Sequence, residues 1–136
     1  MNVSFLIELL ALCLYDRSVS TACVKHLKYS YITIDAFRMI WKSMSSYYYI
    51  NNRMPTIGYI AQKLDDGSDL GNKIVKIIED MARVDVKEVN SEDILDLFGS
   101  YIKESIASEF FEKFCDAMND SKPEMAHTLM MEYSKS

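Results

Sequence analysis

The sequence predicts an all-α fold, a compact helical globule of about five helices followed by a C-terminal helical hairpin. Three observations predict it. Apolar residues recur at intervals of three and four along most of the chain. Four Gly and two Pro are too few for the many tight turns of an all-β design. Ser, Thr, Asp and Asn stand where the apolar runs begin or end, as helix caps require. With 49% apolar and 12% aromatic residues, a chain of 136 residues has material for one domain with a sizeable core.

The first helix is expected over Asn2 to Tyr15, where Phe5, Leu6, Leu9, Leu10 and Cys13 keep helical spacing. Asp16 is placed to cap a short second helix through Val19, Ala22, Cys23 and Leu27. Lys28 to Thr33 reads as a loop. Thr33 or Asp35 then opens a third helix that sets Phe37, Ile40, Trp41 and Met44 on one face. Asn51, Asn52 and Pro55 stop it, since Asn tolerates the left-handed cap and Pro cannot continue a helix. Thr56 caps a fourth helix carrying Ile57, Ile60, Ala61 and Leu64, and Asp65-Asp66-Gly67 breaks it. Ser68 starts a fifth, with Leu70, Ile74, Ile77, Ile78 and Met81 as its buried stripe. Val84 to Val89 carries β-branched residues but has no partner strand in view, so it reads as a connection.

Residues 1–90 are thus expected to form the globular part, and residues 91–136 a hairpin that serves as an oligomerisation element. From Ser91 to Asn119 nothing need stop a helix, and Glu92 and Asp93 suit its positive N-terminal end. Ser121-Lys122-Pro123-Glu124 has the form of a capping box that opens a last helix running to about Tyr133. So short a connection turns the two helices back on each other. At 1.5 Å per residue the long helix measures about 43 Å, against roughly 37 Å for the diameter of a compact globule of this length. Yet it stays apolar throughout, at Ile94, Leu97, Phe98, Tyr101, Ile102, Ile106, Phe110, Phe111, Phe114 and Met118, joined by Leu129 and Met130 on the return helix. An apolar helix too long for its own domain to cover predicts self-association through the hairpin, which a substitution such as Phe110→Glu is expected to weaken; the alternative is that Gly99 bends the helix and the hairpin folds fully back onto the globule.

Charge and chemistry narrow the function. A net charge of −5 repels a phosphate backbone, so tight direct binding of DNA by this domain is not expected. Three cysteines, Cys13, Cys23 and Cys115, form no Cys-x-x-Cys pair and suit a reducing compartment, so a cytoplasmic location is expected. The apolar run Phe5 to Tyr15 contains Glu8 and is too short to span a bilayer. Cys23 and His26 are spaced as two ligands on one helical face, but no second pair completes a metal site. Asp65–Asp66, Glu79–Asp80 and Glu92–Asp93 are adjacent in sequence, so each pair diverges instead of forming a general acid–base couple. Asp65-Asp66-Gly67-Ser68-Asp69 has its Gly at the wrong place for a calcium loop and lacks the terminal Glu. No phosphate-binding Gly motif occurs. No catalytic residue, cofactor or metal is therefore expected. A second surface offers itself on the third helix, where Arg38 and Lys42 share a face and the run Tyr47, Tyr48, Tyr49 must expose at least one ring.

The order of these pieces carries a family resemblance. Leu9-Leu10 through Leu14-Tyr15-Asp16 is followed by Tyr29-Ser30-Tyr31-Ile32, then Phe37-Arg38-Met39-Ile40-Trp41, Tyr48, the Arg53-Met54-Pro55-Thr56 turn, and Ile60 with Leu64. Over nearly its whole length the chain resembles the N-terminal domain of the DnaB-type replicative DNA helicases, especially their phage relatives, although Ile32 stands where that family has an aromatic. The resemblance implies a domain that hydrolyses no ATP, dimerises through its C-terminal hairpin, builds a collar of three dimers on a hexameric ring, and docks primase or a helicase loader. The sequence ends at Ser136 before any motor with a phosphate loop, so it reads as an excised helicase domain or a stand-alone relative that cannot itself unwind DNA. Two other roles fit the same shape: a phage or plasmid adaptor or inhibitor that binds a helicase, and the helicase-binding domain of a primase.

Overall fold

Five side chains fix where helices begin. In the computed structural model, which describes residues 2–119 and 123–135, Asn2 accepts a hydrogen bond from the Phe5 N–H at 3.1 Å and Asp16 accepts from Ser18 and Val19 at 2.9 and 3.3 Å. Thr56 accepts from Tyr59 at 3.2 Å, Ser68 from Gly71 at 2.9 Å, and Asn90 from Glu92 and Asp93 at 2.9 and 3.1 Å. Each satisfies backbone donors that the first turn leaves unpaired, a contribution of about 1 kcal/mol apiece. The helices they open are α1 (Val3–Tyr15), α2 (Arg17–His26), α4 (Ile57–Leu64), α5 (Asp69–Arg83) and α6 (Ser91–Asn119). The remaining two are α3 (Asp35–Asn51) and α7 (Pro123–Ser134).

The fold is all-α, with seven helices and no strand among the described residues. Val84 to Val89 is a turn, as its lack of a partner strand implies. Local details differ from expectation in two places. Tyr29–Tyr31 is a single 3₁₀ turn instead of a plain loop, and it buries Tyr31 beside Ile32. Leu70, expected in the buried stripe of α5, is 38% exposed, because it lies in the first turn, ahead of the buried line Ile74, Ile78 and Met81. Helix α3 opens at Asp35, one of the two starts expected, with Ile34 at the cap position and no side-chain cap. Asn52 closes α3 in the left-handed conformation at φ 55°. The Ser121 end of the capping box lies outside the described residues.

The chain divides into two compact units, Met1–Phe98 and Gly99–Ser136. This division lies inside α6, eight residues beyond the 90/91 boundary read from the sequence. Ile94 and Phe98 at the start of α6 belong to the first unit and are buried. Gly99 does not interrupt α6, which continues unbroken to Asn119.

In the first unit α1 packs against α2 and α5, while α3 packs against α4 and α5. Helix α1 is apolar nearly all round, with Leu6, Leu9, Leu10 and Ala11 wholly inaccessible, which is the pattern of a helix enclosed by others. Fully burying one such leucine contributes about 1.5–3 kcal/mol. Asp16 is the hinge between α1 and α2: its N–H closes α1 onto the Leu12 carbonyl at 2.7 Å while its side chain caps α2. Trp41 pins α3 to the end of α2, its indole N–H donating to the Leu27 carbonyl at 3.0 Å.

In the second unit the rings of Phe110 and Tyr133 stack at 4.4 Å and 21°. That contact joins a residue nine places before the end of α6 to one ten places into α7, so the helices run antiparallel as a hairpin. The Phe114 and Phe110 rings lie 5.9 Å apart, and Ala117 on α6 and Ala126 on α7 are buried. Alanine at such positions lets two helix backbones approach closely.

Candidate interaction surfaces

The apolar residues of α6 follow a spacing of exactly four at Ile94, Phe98, Ile102, Ile106, Phe110, Phe114 and Met118. Four residues make slightly more than one turn, so in a straight helix the line advances by about 40° per step. No single face of α6 therefore stays apolar along its length.

This sorts the predicted interface residues. Ile94 and Phe98 are buried within the chain and offer nothing to a partner, a correction to their place in the proposed interface. Tyr101, Ile102, Ile106, Phe110, Phe114 and Leu129 are partly covered. Phe110, stacked on Tyr133, holds the hairpin together, so it is a poor probe of association. Leu97 at 53%, Phe111 at 66%, and Met118 and Met130 both at 53% are exposed. On the hairpin they are joined by Met125 and Met131, which the sequence reading leaves out. Methionine is flexible and polarisable, and it suits a surface that adapts to a partner.

The surface expected on α3 does not form as one patch. Arg38 is committed locally: its Nε and Nη2 donate to the Ile32 carbonyl at 3.0 and 2.7 Å, and its Nη1 pairs with Asp35 at 3.1 Å. It staples the start of α3 to the 3₁₀ turn before it. Lys42 is exposed. Tyr48 lines a hollow of about 130 Å³ with Cys13, Asp16 and Arg53, below the few hundred Å³ usual for a ligand site. Tyr49 projects at 88% exposure beside Ile50 at 81%. They border an open groove of about 440 Å³ lined by Val24, Tyr29, Ser45 and Ser46, in which tyrosine hydroxyls are the sole ionisable groups.

Tyr47 points elsewhere. Its ring meets that of Tyr59 edge to face, with centroids 5.0 Å apart. The Arg53 guanidinium lies 5.4 Å from the Tyr47 centroid, and the Lys63 ammonium 5.6 Å from that of Tyr59. The result is a ladder of cation, ring, ring and cation built from the end of α3, the Asn52–Thr56 turn and α4. Arg53, Tyr59 and Lys63 are absent from the surface read off the sequence. A signal for them was present: from Ala36 to Leu64 there is no Asp or Glu.

Among the described residues no cluster of three His, Cys, Asp or Glu side chains could hold a metal ion. Cys13 and Cys23 are buried and adjacent, and burial above all pushes the Cys13 thiol well up, aided by its contact with Cys23. His26 is exposed at the end of α2. In the acidic loop Asp66 accepts from the Ser68 hydroxyl and N–H, which hold its carboxyl below the ordinary range and orient the cap of α5. Asp16 is also held low, first by the Ser18 hydroxyl and then by the Val19 and Ser18 N–H groups. No described helix is long and apolar enough to cross a membrane. No family model, curated protein or solved structure matches this chain.

Proposed function

We propose that this chain is a non-catalytic interaction domain that self-associates through its α6–α7 hairpin. The observation that supports it best is the set of large apolar side chains that the hairpin leaves exposed, Phe111 and Met118 on α6 with Met125, Met130 and Met131 on α7. The hairpin's inner contacts, Phe110 on Tyr133 above all, hold the two helices together without drawing on these outer residues. Large apolar side chains left exposed in this number are costly in water and are usually covered by a partner. A second copy supplies an identical patch, and a two-fold contact brings each Phe111 and its methionines against their counterparts.

The finer reading is that of a replicative-helicase N-terminal domain, which forms dimers and receives primase or a loader. Its support is the ordered resemblance from Leu9 to Leu64 together with a C-terminal helical hairpin. Sedimentation equilibrium tests the self-association: a dimer is expected in the micromolar range, and a monomer at the highest attainable concentration would remove the proposal. Docking is tested separately by co-sedimentation with purified primase and with purified loader. Failure of both leaves a self-associating domain and removes the collar role.

A further inference from the structure

Sulfur is unevenly placed on this chain. Of its nine methionines, four fall within the fourteen residues from Met118 to Met131. All four sit on the α6–α7 hairpin and are half exposed, Met118, Met125 and Met130 at 53% and Met131 at 50%. Elsewhere the thioethers are better covered: Met44 and Met81 are in the core at 0% and 1%, Met54 is partly buried, and Met39 on α3 is 39% exposed. Cys13 and Cys23 are buried, and the third thiol, the partly exposed Cys115, lies on α6. Among the described residues the hairpin therefore presents the most accessible thioethers.

Leucine would give the same helices as much apolar surface without the chemistry that a thioether brings. With hydrogen peroxide, methionine sulfur attacks one peroxide oxygen: the O–O bond breaks, an S–O bond forms and water leaves. Sulfur gives up two electrons and becomes a sulfoxide, which is polar, and methionine sulfoxide reductases return it to the thioether. A sulfoxide oxygen buried in an apolar contact without a hydrogen-bond donor is costly, so the modified side chain no longer suits such a surface. The contacts that pair the two helices run through other residues, the Phe110–Tyr133 stack and the buried Ala117 and Ala126. Oxidation thus changes what the outer surface binds and leaves the hairpin itself paired.

We propose that Met118, Met125, Met130 and Met131 form a reversible oxidation site, at which a peroxide switches off the self-association of the hairpin. The inference rests on the self-association proposed above and gives it a control. Its consequence is mutual exclusion. A dimer formed through this surface covers the four thioethers, so they are oxidised from the dissociated chain, and each sulfoxide formed holds that chain back from association. Oxidation at the four sites therefore slows as chain concentration rises. Met39 belongs to the other unit and keeps a constant rate, which makes it the internal reference.

The test is sedimentation equilibrium of the full chain before and after hydrogen peroxide, with peptide mass spectrometry reading sulfoxide at each methionine. Dithiothreitol added after the peroxide returns a sulfenic acid or disulfide at Cys115 to the thiol and leaves the sulfoxides in place. With the four sites oxidised, the dimer dissociation constant is expected to rise at least tenfold while circular dichroism stays unchanged. Methionine sulfoxide reductases A and B, one for each epimer, are expected to restore it. The variant Met118→Leu/Met125→Leu/Met130→Leu/Met131→Leu keeps the apolar surface and is expected to dimerise alike before and after peroxide. Peroxide applied over a range of chain concentrations is expected to spare the four sites relative to Met39 as concentration rises. An untreated chain that is monomeric removes the self-association, and this inference with it. If the untreated chain dimerises, the inference alone is overturned by a dimer that sulfoxide at the four sites leaves unmoved, by equal weakening in the leucine variant, by a loss the reductases do not reverse, or by oxidation rates indifferent to concentration.

Discussion

Replacing Phe111 by Glu separates the outer face of the hairpin from its inner one. Phe111 is 66% exposed, and glutamate is at least as good a helix former as phenylalanine, so the substitution leaves α6 intact. Fully burying a phenylalanine contributes about 1.5–3 kcal/mol. Taking the exposed fraction, and counting the residue twice in a two-fold dimer, the loss is roughly 2–4 kcal/mol, or a dissociation constant raised about 30- to 700-fold at 1.4 kcal/mol per decade. Sedimentation equilibrium over a range of concentrations reads this directly. Phe110→Ala is the contrast: it removes a ring stacked at 4.4 Å on Tyr133, so it loosens the hairpin, and helicity falls along with association. If Phe111→Glu dimerises with unchanged affinity while its circular dichroism matches the parent, the outer face of the hairpin is not the interface and the reasoning fails.

Trp41→Phe removes the indole N–H that reaches the Leu27 carbonyl at 3.0 Å and empties part of a site 1% exposed. An orphaned buried acceptor costs about 1–3 kcal/mol and the cavity adds to it, so a clear fall in the urea midpoint is expected, and an unchanged midpoint would contradict it. Asp16, whose folded carboxyl is held below its ordinary value first by the Ser18 hydroxyl, contributes stability above its unfolded pKa of about 4 that is lost as pH falls through the folded pKa. Asp16→Asn keeps a capping acceptor without that titration, so its melting temperature is expected to fall less steeply below pH ~4. Thiol labelling should modify Cys115 in the native chain but Cys13 and Cys23 after unfolding, since those two are buried and Cys115 is partly exposed; fast native labelling of Cys13 would refute the packing of α1 on α2.

The helices were legible because their signals are local. Asp16, Thr56 and Ser68 cap as their residue types and neighbours imply, and Asn52 supplies the left-handed closure of α3. Where expectation missed, longer contacts had decided the matter. The 3₁₀ turn at Tyr29–Tyr31 has no cap motif; the Arg38 guanidinium on the Ile32 carbonyl and the burial of Tyr31 and Ile32 fix the chain there. That same contact removes Arg38 from any partner surface. Nothing in the sequence marks which of several arginines will find a carbonyl six residues back.

The two surfaces were legible to different degrees for a physical reason. Apolar pattern along α6 announces that something must cover it. Its spacing of four spirals around the helix, though, so the sequence cannot assign Phe110 inward and Phe111 outward; the stack on Tyr133 makes that choice. The cationic ladder is harder still, because its rings come from α3 and α4 and meet only after the Asn52 turn reverses the chain. What the sequence does hold is the missing half of the pattern, the absence of acid from Ala36 to Leu64. A helix pair at a protein surface ordinarily alternates its charges, since opposite signs three or four apart stabilise it by a few tenths of a kcal/mol. Forgoing those pairs over 29 residues in a chain with 20 acids leaves Lys42, Arg53 and Lys63 without a carboxylate partner among the described residues. On this argument, introducing an acid four residues before Lys63 or Arg53 should stabilise the fold slightly, which a small rise in the urea midpoint would show.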